Sequence, residues 1–258
     1  LISKDTAMVQ GHDTDRRFSG LSRLFGSHLA KRIRLAHITV VGVGGVGSWA
    51  VEALARSGVG KLTLIDMDHV AESNINRQLH ALTTTLGQSK VSAMAQRIGL
   101  INPDCQVSQI DEFVTPENVD ALVPKIHDVM IDATDQVSAK VALAQWAIRH
   151  GIPMVTVGAA GGKKHAQLVE MCDLVQTTHD PLLAQVRYRL RKEGVIASDK
   201  KDCGIHAVFS KEPVVRPESA TGDASFSDLN CHGYGSLVTV TATFGHCAAG
   251  WALNRFSD

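Results

Sequence analysis

Residues 40–81, "VVGVGGVGSWAVEALARSGVGKLTLIDMDHVAESNINRQLHA", open as a strand that runs into a glycine-rich turn and then a helix. Gly42, Gly44 and Gly47 satisfy G-x-G-x-x-G. At such a turn the backbone N–H groups and the helix dipole can receive phosphate. The pattern alone also suits a ligand-free strand-to-helix turn. A nicotinamide dehydrogenase is the nearest functional rival, with Asp66, at the end of the second strand, on the ribose hydroxyls. The residues after Asp66 depart from that rival. "DMDHVAESNINRQ" places Asp66, Asp68, Asn74, Arg77 and Gln78 close behind the turn, a grouping that suits a triphosphate better than a second nucleotide.

The rest of the chain supplies a sheet for this turn. Short Val- and Ile-rich runs at 37–42, 61–66, 105–110, 128–133 and 153–157 read as strands, and 45–57, 88–101, 116–123 and 136–150 read as helices. Alternation of this kind predicts a doubly wound, Rossmann-like α/β fold with a mostly parallel sheet. Past Gly158 a glycine hinge, a strand, the basic helix "PLLAQVRYRLRKEG" and the strand "GIHAVFS" are expected to extend the same sheet antiparallel. "SLVTVTATFGHCAAGWAL" at 236–253 reads as a buried C-terminal helix rather than a membrane span, because it carries His246 and several Thr, Ser and Gly residues. We expect one domain over 1–258, with a nucleotide-binding core at 17–158 and a substrate-facing extension at 159–258 whose 194–235 loops are mobile.

Composition narrows the functional classes. The 258 residues are 44% hydrophobic, with 26 basic against 26 acidic side chains, so any nucleic-acid contact must come from a local patch. Five cysteines without a C-x-x-C pair argue against a disulfide framework and against structural zinc, and suit a reduced, cytoplasmic setting. The first twenty residues lack the pattern of a signal peptide.

Two further segments end at the same edge of the predicted sheet. Lys90, in "LGQSKV", brings a point charge to the start of the next helix. Asp132 and Asp135, in "DATD", lie at the carboxyl end of a strand, where Asp135 can carry Mg²⁺ together with phosphates. Each residue has a plainer explanation as cap, solvated charge or loop carboxylate. Jointly they converge where doubly wound sheets bind ligands.

The order G-x-G-G-V-G-S, D-x-D, N-x-N-R-Q, G-Q-S-K and D-x-T-D over residues 17–158 resembles the adenylating domain of the ubiquitin-activating superfamily. The resemblance implies ATP as the activating substrate, with Gly42, Gly44 and Gly45 facing its phosphates and Asp66 on the ribose. It also implies Asn74, Arg77, Gln78 and Lys90 on phosphate, with Arg77, Lys90 and Asp135 as the catalytic set and Asp135 serving the metal. Gln136 departs from the family's usual asparagine. Superfamily members pair as homodimers, and "RRFSGLSRLFG" stands where an arginine reaches the partner's ATP, so Arg23 or Arg17 takes that part.

Members that activate sulfur carriers usually hold zinc in paired C-x-x-C motifs, absent here. Instead "INPDCQV", "DEFVTPENV", "DPLLAQVRYRLRKEG" and "GYGSLVTVTATFGH" are similar to the branch that acts on threonylcarbamoyladenosine in transfer RNA. That resemblance implies activation of the threonyl carboxylate and intramolecular ring closure, with no protein nucleophile. A cysteine desulfurase system enters as a partner by resemblance only, and monovalent cation binding stays open. Adenylation of a small ubiquitin-like sulfur carrier is the alternative, and a nucleotide-sensing scaffold without turnover is a third reading. The RNA footprint is expected at Arg187, Arg191, Lys192 and Lys163, against the simpler view of a solvated helix face. Cys203 and Cys231, in the loop-rich half, are given no catalytic role.

Overall fold

The computed structural model describes residues 13–197, 199–214 and 234–257. Strand β1 (His37–Val41) is followed by the glycine turn and α3 (Gly47–Arg56), then by β2 (Lys61–Ile65), α4 (Lys90–Ile101) and β3 (Gln106–Ile110). The short α5 (Val119–Leu122), β4 (Val129–Asp132), α6 (Val137–His150) and β5 (Met154–Val157) complete the doubly wound half. Beyond it come β6 (Val169–Asp173), α7 (Pro181–Lys192), β7 (Ile205–Ser210) and α8 (Val238–Asn254).

All seven strands form one sheet in the order β3-β2-β1-β4-β5-β7-β6. Alternation within the strands divides the core in two. Ile38 and Val40 of β1, Val129 and Ile131 of β4, and Val155 and Val157 of β5 pack with Leu54, Met94 and Phe244 of α3, α4 and α8. Val41, Met130 and Met154 face the other way, toward Leu143 and Trp146 of α6 and Leu183 and Leu190 of α7. Helices therefore cover both faces, and the carboxyl ends of the parallel strands are left to form a crevice. The α8 segment is a core helix, as its Thr and His content suggested. Among the described residues no helix is long and apolar enough to cross a membrane.

Two expectations are corrected, and two helices are added. The extension is not wholly antiparallel: β7 joins β5 in parallel, and only β6, at the edge, runs antiparallel to β7. The helix expected at 116–123 is a single turn, Val119–Leu122. Two helices precede β1, α1 (Thr14–Phe25) and α2 (Ser27–Leu35), which the periodicity of the core strands did not announce. Asp13 caps α1 by accepting from Arg16 N–H at 2.9 Å, and Phe18 is its one buried side chain. Part of the 194–235 segment, residues 215–233, lies outside the described residues, and Cys231 with it.

Candidate functional site

The crevice is built from the glycine turn outward. Gly42 has φ 84°, and a Cβ there would stand 2.7 Å from the Ala133 carbonyl carbon, so β1 can turn beside β4 only at a glycine. Just past the turn, Val43 N–H donates to Asp66 Oδ2 at 2.6 Å, and Asp68 N–H to Asp66 Oδ1 at 2.9 Å. Asp66 thus ties the turn to the end of β2. Burial pushes its carboxyl upward from the ordinary range, and the Lys90 ammonium pulls the other way.

The loop from β2 to α4 is held by α3. Trp49 Nε1 donates to Arg77 O at 3.0 Å, and Leu79 N–H to Ser48 Oγ at 3.2 Å. A 3-10 turn over Glu72–Asn74 aims the Asn-Arg-Gln run at the turn. Asn74 Oδ1 accepts from Ala71 N–H at 3.0 Å, and Arg77 Nη1 donates to Ser73 O at 2.7 Å. The Arg77 stem covers Gly45, whose missing Cβ would stand 3.3 Å from Arg77 Cγ. Gln78 is buried, and its Oε1 has no hydrogen-bond partner among the described residues.

Gly42, Gly44, Gly45, Asp66, Asp68, Asn74, Arg77, Gln78, Lys90 and Asp135 all line one pocket. Asp135 is exposed at its edge with no ion-pair or hydrogen-bond partner among the described residues. Sequence reasoning missed two walls. Glu112, Phe113 and Val114 follow β3, and Gly158, Ala159 and Ala160 follow β5, with Leu182 beside them. The rule that put Asp135 in the crevice, position just past a parallel strand, applies equally to both.

Two assigned residues are elsewhere. Asp132 is fully buried and does not line the pocket. It alternates with Ile131 and points toward α6, where Lys140 Nζ lies 3.0 Å from Oδ2 and Thr156 Oγ1 donates to the same oxygen at 2.6 Å. Thr134 satisfies Oδ1. A saturated carboxylate has no oxygen to offer a nucleotide. Lys163 is also buried, with Nζ donating to Ser210 O at 3.1 Å, so it is withdrawn from any RNA-facing set. Arg187, Arg191 and Lys192 do share one surface of α7, with Tyr188 and Ala184 between them. Arg187 is tethered there by Thr177 Oγ1.

Arg17 and Arg23 both sit on α1 outside the pocket. Arg17 Nη1 donates to Ile101 O at 2.7 Å and so caps the carboxyl end of α4, while Arg23 is exposed. Cys105 precedes β3 and Cys203 precedes β7, both at the amino ends of strands and away from the crevice. Burial pushes each thiol up to about 11, which disfavours the thiolate a nucleophile needs.

A pocket lined by a glycine turn, an arginine, a lysine and an exposed carboxylate can hold a nucleoside triphosphate. The comparisons with known proteins agree with that geometry. The model described as the ThiF family matches residues 17–258. The chain belongs to the ThiF family. Among its ThiF-family relatives, the tRNA threonylcarbamoyladenosine dehydratase of Haemophilus influenzae is 42% identical over 252 residues, covering 97% of each chain. The structure of Escherichia coli tRNA N6-threonylcarbamoyladenosine dehydratase in complex with ATP superposes with a TM-score of 0.86 at 44% identity, over 94% of both chains. The same Escherichia coli enzyme in complex with AMP gives a TM-score of 0.85.

Proposed function

We infer that this protein uses ATP to activate the carboxylate of threonylcarbamoyladenosine, beside the anticodon of transfer RNA, and closes it to the cyclic form with net loss of water. The observation that carries this reading is the convergence of Gly42, Gly44, Gly45, Asp66, Asn74, Arg77, Gln78, Lys90 and Asp135 on one pocket, in a chain that matches a dehydratase relative across 97% of both lengths.

In this reading the backbone N–H groups after Gly42 and the amino end of α3 receive the phosphates, and Asp66 takes the ribose. Arg77 and Lys90 neutralise charge as pyrophosphate leaves. The threonyl carboxylate oxygen attacks the α-phosphorus, so that an acyl-adenylate forms and the bond to pyrophosphate breaks. The substrate's own urea nitrogen then attacks the acyl carbon, loses its proton, and expels AMP. Ring closure is intramolecular, and proximity supplies much of its rate. Asp135 fits Mg²⁺, since a lone hard carboxylate beside phosphate oxygens matches how that ion is usually held. Bound there, the ion would offset phosphate charge.

The α7 face of Arg187, Arg191 and Lys192 is read as an RNA contact, and Arg23 as the residue contributed across a homodimer. A tRNA substrate fits a cytoplasmic setting. Residues 17–158 serve the nucleotide, and 159–258 the RNA. The test is incubation with ATP and tRNA bearing threonylcarbamoyladenosine, followed by nucleoside mass spectrometry. The cyclised nucleoside should appear with AMP and pyrophosphate only when ATP is present. Adenylation of a small Gly-Gly-ended protein in place of tRNA, or nucleotide binding without any product, would refute the reading.

A further inference from the structure

The loop that leaves β5 contains a lysine that the adenylation chemistry leaves unused. Lys163 follows the pocket-lining Gly158–Ala160 by three residues and turns inward, its side chain fully buried. Burying an ammonium is costly unless its partners are well placed, so the surroundings must be arranged to accept it. Here Nζ donates to Ser210 O at 3.1 Å and lies 3.9 Å from Asp180 Oδ2. Burial lowers its tendency to hold a proton, and Asp180 and Glu212 act against that.

Asp180 is itself buried and uses both oxygens on backbone. Oδ2 accepts Ala159 N–H at 2.9 Å, and Oδ1 accepts Leu183 N–H at 3.0 Å as the cap of α7. The approach is close enough to need a glycine: a Cβ on Gly158 would stand 2.1 Å from Asp180 Oδ2. Farther along the loop, Glu212 accepts from Lys164 and His165 N–H at 2.9 and 2.8 Å. Gly162 N–H reaches Gly235 O at 3.0 Å, next to Ser236, whose carbonyl accepts from Asn76 at 3.1 Å. The loop is held at Ala159 by Asp180 and at Lys164 and His165 by Glu212, and the Lys163 side chain turns inside between these anchors.

Strand order says which part of the ligand this wall meets. Asp66 after β2 and Glu112–Val114 after β3 lie on one side of the glycine turn, and Gly158–Ala160 after β5 lie on the other. With ribose on Asp66, the attacking carboxylate must arrive from the β5 side. We propose that Lys163 and Asp180 are positioning residues that hold the Gly158–Ala160 wall against the acyl end of the RNA substrate, and that they leave nucleotide binding alone. This rests on the function inferred above.

The experiment compares Lys163→Met, Lys163→Gln, Asp180→Asn and the Lys163→Gln/Asp180→Asn double variant with wild type. Gln keeps a donor for Ser210 without the charge. Asn must set an NH₂ against one of two backbone N–H groups. The readouts are the ATP dissociation constant, kcat/KM for tRNA, and thermal unfolding. Folded single variants should lose roughly 10- to 100-fold in kcat/KM for tRNA, the scale of misplacing a reacting group by about 1 Å. Their ATP dissociation constants should stay within about twofold of wild type, and the double variant should be no worse than the poorer single, as expected for one linked unit.

Equal losses in ATP affinity and tRNA turnover would overturn the proposal, as would wild-type turnover in a folded Lys163→Gln or Asp180→Asn protein. Failure of all the variants to fold would overturn it in favour of a purely structural pair. A wild-type protein inactive on tRNA refutes the inferred function and this assignment with it, whereas an active wild type with unaffected variants refutes the positioning role alone.

Discussion

The Nζ of Lys90 lies 2.5 Å from Oδ2 of Asp68, a buried ammonium held by a half-exposed carboxylate at the pocket. A buried charge needs a counter-ion, and Asp68 supplies it. In the proposed reading, a triphosphate entering past Gly44 and Gly45 would offer Lys90 a stronger partner. Asp68, open to water, loses little when released.

Lys90→Ala and Arg77→Ala should therefore each lower adenylation by about 10² to 10³ while the protein stays folded, as expected for removing an electrostatic clamp on developing charge. Single-turnover formation of pyrophosphate checks this. Near wild-type rates in either variant would exclude the residue from the phosphate path.

Arg17 and Arg23 separate cleanly by what they touch. Because Arg17 caps α4 through Ile101 O, Arg17→Ala should cost stability, about 0.5 to 1.5 kcal/mol for a solvent-exposed hydrogen bond, with little change in turnover per folded molecule. Arg23→Ala should lose activity, and mixing it with Asp135→Ala chains should restore part of it. In the mixed dimer one site would have both residues, one from each subunit. Absence of rescue would show that the site is not shared.

Asp132→Ala should act on folding and not on nucleotide affinity. It strands the fully buried Lys140 ammonium, and breaking such a pair costs about 3 to 5 kcal/mol. Denaturant unfolding with ATP titration of the folded fraction distinguishes the outcomes. Loss of ATP affinity at unchanged stability would return Asp132 to the site.

Acid should destabilise the protein through buried histidines. His127, stacked on Trp146, and His80, without a hydrogen-bond partner on either ring nitrogen among the described residues, are both lowered from 6.5 to about 4, chiefly by burial. Their folded-state values lie below the unfolded one. Their contribution is thus intact above 6.5 and is lost as pH falls toward 4, at about 1.4 kcal/mol per pH unit for each histidine. His127→Phe should flatten the fall in Tm between those limits. An unchanged slope would exclude His127 as a source.

The doubly wound half was legible because β1, β2, β4 and β5 are buried on both faces and stand out as apolar runs, and because Gly42 must turn where no side chain fits. The cluster from Asp66 to Gln78 was legible only jointly, since each polar residue has a plainer explanation alone but all of them follow one core strand closely. Lys163 was not. In "GGKKHA" it resembles its neighbour Lys164, and only the partners at Ser210 and Asp180, distant in sequence, distinguish inside from outside. Asp132 was obscured in the same way, since its alternation with Ile131 points it at Lys140, a partner on the next helix. The helices α1 and α2 bury only Phe18, Leu29, Ala30 and Ile33, and lie before the strand-and-helix alternation from which the fold was read.

The central claim is that the substrate carboxylate attacks the α-phosphorus of ATP. Threonylcarbamoyladenosine in tRNA, labelled with heavy oxygen in that carboxylate, tests it directly when the nucleotide products are analysed by mass spectrometry after one turnover. Attack at the α-position predicts AMP carrying one heavy oxygen atom, with unlabelled pyrophosphate. Formation of ADP with the label in inorganic phosphate would contradict it, because activation would then proceed through an acyl phosphate at the γ-position.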